Sequence, residues 1–131
     1  MTTLEVDARR LRSEIAAFYA GFGQPNELKS ALREASLLVP LTDDDRVFTL
    51  TYGGVQWLCG FTDITEYARF MTERGVVADQ QYRFHTFQGS RLIDFAAEQV
   101  DPTGVAVDML GAAPMAFGPD LTADATAFGQ V

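Results

Sequence analysis

The chain of 131 residues is predicted to fold as one mixed α/β (α+β) domain, a β-sheet of about five strands packed by helices, with an extra helix at its N-terminus. Three observations carry that prediction. Apolar residues from Leu4 to Phe22 recur in steps of three and four, the spacing of a helix. Two strand-like runs, Val47 to Tyr52 and Val55 to Phe61, are separated only by Gly53 and Gly54, which is a two-residue hairpin signal. Strand-like and helix-like runs then alternate down to about residue 118.

The N-terminal helix is expected over residues 1–22, beginning near Thr3. Leu4, Ala8, Leu11, Ile15, Phe18 and Phe22 form its apolar stripe, and Arg9, Arg10, Arg12 and Glu14 fall off it. The stripe has two possible partners, the domain's own core or a second chain, and the core is the favoured one. Gly21, Gly23 and Pro25 end this helix. Asn26 is then expected to cap a second helix with Leu28, Ala31, Leu32 and Ala35 on one side. Ser36 to Leu41 reads as a buried strand, closed by Pro40 and a solvated turn at Asp43, Asp44 and Asp45.

If Gly53 and Gly54 are the central turn residues, the hairpin pairs Tyr52 with Val55, Leu50 with Trp57 and Phe48 with Cys59 on one wholly apolar face. That face is expected to be buried, with Trp57 against Leu50 and Phe48. The other face pairs Thr51 with Gln56, Thr49 with Leu58 and Val47 with Gly60, so it is mixed and free to meet solvent or a partner. Asp63 with Glu66 three residues on is a capping-box pattern for a helix carrying Ile64, Tyr67, Ala68 and Met71, stopped at Gly75.

Tyr82 to Phe87 is a further strand. Gly89 and Ser90 open a helix that should cover the sheet with Leu92, Ile93, Phe95, Ala96 and Ala97, and Asp101, Pro102 and Thr103 end it. Val105, Val107 and Met109 alternate with Ala106, Asp108 and Leu110 in a last long strand. Residues 119–131 are expected to be a poorly ordered tail.

A net charge of -8 excludes several functions. Residues 1–35 hold five acids and five bases, so the body carries the whole acidic excess. Such a surface repels phosphate backbones and anionic lipid, and no nucleic-acid or membrane partner is expected. No run approaches the roughly 18 apolar residues of a membrane span, and no signal peptide opens the chain, so the expected location is the cytoplasm. Cys59 is the only cysteine, which leaves no disulfide framework and no thiolate metal cage.

Ala35 through Pro40, the run Trp57 to Asp63 with its Phe61-Thr62 pair, and Gly104 through Asp108 carry a resemblance, together with the order of the elements. Residues 26–118 resemble the N-terminal domain of the SseB family, named after the enhanced serine sensitivity protein. Asp108 stands where that family has an asparagine, and no proline follows it. The resemblance implies an α/β sandwich and brings no catalytic residues with it.

The chemistry-bearing residues have plain accounts. Cys59 lies on the apolar hairpin face as a small hydrophobe, and His85, the lone histidine, falls in mid-strand with no nucleophile identified beside it. Consecutive aspartates point apart, unlike calcium ligands, and Gly89-Ser90-Arg91 reads as a helix cap rather than an anion seat. No catalytic, cofactor or metal residue is therefore expected.

The expected function is a non-enzymatic, SseB-like protein-interaction or regulatory module, a monomer or homodimer whose partner is another protein. Thr49, Thr51, Gln56, Leu58 and His85 are the candidate partner-binding residues. Two alternatives stay open: a small hydrolase or transferase using His85 with acids near Asp63 or Asp108, and a small-ligand sensor using Trp57 and Tyr52.

Overall fold

The computed structural model describes residues 7–42, 44–75 and 83–119. Over them the fold class is the predicted one, with four helices and six strands in two sheets.

Helix α1 (Arg9–Tyr19) buries Leu11 and Ile15, and Ala8 just before it is buried too. Gly21 stops it at φ 92°, a left-handed conformation that costs glycine little. Phe18 and Phe22, expected on the buried stripe, are exposed. The last turn instead meets Gly23, which sits against Phe18, and Pro114, whose carbonyl accepts a hydrogen bond from the Tyr19 hydroxyl. Leu4 lies outside the described residues.

Pro25 opens helix α2 (Pro25–Glu34) rather than ending its predecessor. At the first helical position the missing N–H costs nothing, so Gln24 takes the cap and Asn26 falls inside the first turn. The Arg10 guanidinium donates to Glu27 and Glu34 at 2.9 Å each and ties α1 to α2. The pairs are exposed, so solvent screens them and they add little to stability.

Strands β1 (Ser36–Pro40) and β4 (Phe84–Gln88) pair antiparallel as a two-stranded sheet. The four-stranded sheet runs β2 (Thr49–Tyr52), β3 (Val55–Gly60), β5 (Thr103–Val107), β6 (Met115–Phe117). Its β3–β5 pair is parallel and the other two are antiparallel. A bridge between Leu38 and Phe61, with bonds of 3.0 and 2.9 Å, joins the two sheets. The hairpin register is as predicted from Thr49 on: Thr49 faces Leu58, Leu50 faces Trp57 and Tyr52 faces Val55. The predicted pairs Phe48–Cys59 and Val47–Gly60 do not form, because Val47 bridges to Leu41 and the Phe48 N–H donates to the Pro40 carbonyl at 3.0 Å. Gly53 at φ 63° and Gly54 at φ 79° make the turn that matches the twist of the strands.

Helix α3 (Ile64–Glu73) starts where the Asp63 carboxylate accepts from the Glu66 N–H at 2.9 Å, and Gly75 at φ 88° follows its end. Tyr67, Phe70 and Met71 are its buried residues, whereas Ile64 is exposed against expectation. Helix α4 (Gly89–Ala97) buries Leu92, Ile93 and Ala96, while Phe95 and Ala97 face outward. Gly89 is more than a cap. Its N–H donates to the Ala35 carbonyl at 2.7 Å, and a Cβ there would overlap the Leu32 carbonyl oxygen.

Helices lie on both sides of the sheet. On one side α1, α2 and α4 enclose Leu37, Val39, Leu58, Val105, Val107 and Phe117. On the other, α3 encloses Leu38, Cys59 and Phe61. All five residues of β5 are inside, where alternation was expected: Val105 and Val107 lie under α1, α2 and α4, and on the other face the Trp57 ring lies against Gly104. That strand is also shorter than predicted: it stops at Val107, because Asp108 turns away at φ 51°. The chain then returns as β6, a strand hidden from sequence reading by its three-residue length. Tyr82, Asp43 and the tail beyond Pro119 lie outside the described residues.

Candidate functional site

The hairpin brings Leu50 and Trp57 side by side, with Tyr52 above them at the turn. Parallel pairing places Ala106 beside Cys59, and antiparallel pairing places Ala116 beside Ala106. Leu50, Trp57, Ala106 and Ala116 therefore share the sheet face that α3 covers farther along, at Cys59 and Phe61. Helix α3 leaves their half open. The result is a groove of about 500 Å³ lined by Leu50, Tyr52, Trp57, Ala106, Met109, Pro114 and Ala116, and by Met115, which also packs against the core under α1, α2 and α4. Its polar contribution is small: Thr51 lines it, and the Trp57 indole N–H is taken by the Tyr52 carbonyl at 3.3 Å. No charged side chain lines it.

The expected exposure of the hairpin holds in part. The apolar face buries Cys59 fully, as predicted, but carries Tyr52 at 80% exposure and only half-buries Trp57. The mixed face exposes Thr49 and Thr51, as predicted, but its Leu58 lies under the three-helix layer at 0%. The register was right, but the faces could not be assigned without knowing where each helix lands. Leu58 is therefore core and no partner-binding residue.

The other candidates are scattered. Thr49 and Thr51 are exposed on the edge strand β2, and Gln56 is half-buried, its amide donating to Asp101 at 3.4 Å. His85 sits in the other sheet, exposed and against Phe87 with ring centroids 4.9 Å apart. The structure does not gather these five residues into one site. Only Thr51 touches the groove. Leu50, Ala106, Met109, Met115 and Ala116 were missed as site residues, and only the tertiary pairing of β3, β5 and β6 reveals them.

Cys59 and the acids weighed as partners of His85 are engaged in the fold. Burial pushes the Cys59 thiol up to about 12 despite the nearby Arg74, so it stays protonated at neutral pH. Asp63 caps α3 and pairs with Arg12 at 3.3 Å. Asp108 accepts the Thr62 N–H at 2.9 Å and the Thr62 hydroxyl at 2.6 Å. Its carboxyl is raised above the ordinary aspartate range, first by burial and then by Asp63, against the pull of the Thr62 bonds and Arg12. Among the described residues no three of His, Cys, Asp or Glu converge as metal ligands, and no helix is long and apolar enough to cross a membrane.

No family model matches the chain, and no curated protein or solved structure matches it.

Proposed function

We propose that the protein is a non-enzymatic interaction module of the SseB type, acting in the cytoplasm, whose docking surface is the groove at Trp57. The observation that carries this reading is the half-covered sheet face. Apolar surface at Tyr52, Trp57, Leu50 and Met109 is left open on a chain of net charge -8, and contiguous apolar surface of this kind marks binding sites. The short runs Ala35–Pro40, Trp57–Asp63 and Gly104–Asp108 support the family part of the proposal.

The test compares affinity capture by the wild-type protein with capture by Tyr52→Ser and Ala116→Glu, both at exposed positions. A protein retained by the wild type and lost from both variants supports the reading. Identical capture by all three defeats it.

One observation favours a second reading, a small-ligand sensor. A volume of about 500 Å³ with a Trp and a Tyr in its wall lies within the range of ligand sites, which is roughly 300–1,000 Å³. A metabolite that shifts Trp57 emission at micromolar concentration would favour it.

A further inference from the structure

We infer that the groove at Trp57 is a binding site for one uncharged, aromatic small molecule. This rests on the ligand reading above and adds the chemistry of the ligand.

The fold itself holds the site in shape. A Cβ at Gly104 would stand 2.6 Å from Cζ3 of Trp57 and 2.6 Å from the Phe117 carbonyl oxygen, so a glycine is what lets the indole lie across β5. Its N–H donates to the Tyr52 carbonyl at 3.3 Å. The indole is thus fixed at both ends, and Ala106 and Ala116 beside it contribute only methyl groups to the lining. Leu50 and Met109 pack against the cluster beneath α3 and bound the inner end. A recess of about 500 Å³ with a ring already in place in its lining has the size and the preformed build of a small-ligand site.

The lining selects against charge. No charged side chain reaches it, the indole N–H is satisfied, and the backbones of β3 and β5 are paired on both sides. A carboxylate or ammonium seated there would give up its water and find no partner, which is costly. An uncharged body gives up little. The rings of Trp57, half-buried, and Tyr52, at 80% exposure, then favour an aromatic body over an aliphatic one, since offset or edge-on ring contacts add to the area buried. The net charge of -8 disfavours anions further.

The probes are neutral N-phenylnaphthylamine and anilinonaphthalene sulfonate, which adds one negative charge to the same rings. Quenching of Trp57, the only tryptophan, and the rise in probe emission report binding. The neutral probe is expected to saturate at one per protein and to bind at least tenfold more tightly than the sulfonate. Ala116→Phe fills the groove at an exposed position without making it more polar, and is expected to weaken binding at least tenfold. Tyr52→Ser, which removes a ring, should weaken it several-fold. Phe22→Ser, at a 79% exposed aromatic outside the groove, should leave it unchanged. Tighter binding by Ala116→Phe, or loss of binding with Phe22→Ser, would show general adhesion to apolar surface and overturn the inference. Equal affinity for the two probes would overturn its charge selection, and displacement of the neutral probe by decanol as readily as by naphthalene would overturn its aromatic part. A charged metabolite that alone shifts Trp57 emission would keep the ligand reading and defeat this inference, whereas the absence of any shift defeats both. The docking reading fails separately, when wild-type and variant proteins capture the same cellular proteins.

Discussion

The Asp108 carboxylate receives both the backbone N–H and the hydroxyl of Thr62, at 2.9 and 2.6 Å, across 46 residues of sequence. Asp108 reaches them from the left-handed region at φ 51°, immediately after β5, and both residues are buried. The bonds tie the exit of the parallel strand β5 to the chain between β3 and α3.

Asp108→Ala leaves two buried donors of Thr62 without acceptors, and the expected loss is about 2–4 kcal/mol. Asp108→Asn keeps an acceptor for the N–H, offers a donor to the hydroxyl oxygen and tolerates the left-handed backbone. It also removes a buried charge. The folded carboxyl is raised, so its stabilising contribution is complete below the ordinary aspartate range and is lost as pH rises through the raised value. The stability of Asp108→Asn relative to the wild type should therefore grow as pH rises from about 4 to 7, read from denaturant midpoints. A flat difference across that range contradicts the assignment.

Gly89→Ala should cost about 3 kcal/mol or more, because the new methyl overlaps the Leu32 carbonyl oxygen of α2 rather than a yielding side chain. Gly118→Ala, with open space around it, serves as the control. Thermal melts of the two variants decide the matter, and similar melting temperatures would refute the close approach.

Leu11→Ala is expected to lose about 2–5 kcal/mol as a core truncation, whereas Phe22→Ala should stay within about 0.5. Both residues lie on the stripe expected from sequence, but Leu11 is fully buried and Phe22 is 79% exposed. Urea unfolding of the pair measures whether the stripe belongs to the core within α1 and not beyond its end.

Cys59 should resist a thiol reagent under native conditions and react fully in denaturant. The thiol is buried, and desolvation pushes its pKa up to about 12. Native labelling at the rate of a small free thiol would show that the α3 side of the sheet opens readily.

Several features were legible in the sequence because their causes are local. Two glycines that alone separate two strand-like runs set the pairing of β2 with β3, since a two-residue turn admits one register. Asp63 and Glu66 marked the start of α3, and Gly21 and Gly75 marked helix ends, through backbone chemistry confined to a few residues. Periodicity likewise identified which residues share a face. It carries no information on what covers that face, and there the tertiary structure decided. Three helices converge over Leu58 while α3 covers Cys59 and stops short of Trp57, so the mixed face is core at Leu58 and the apolar face is a groove at Trp57. The approach of Gly89 to Leu32, the bond between Thr62 and Asp108, and the pairing of β6 with β5 all join segments distant in the chain. Such contacts exist only once the layers are stacked, because burial and steric fit belong to pairs of surfaces and not to either sequence segment alone.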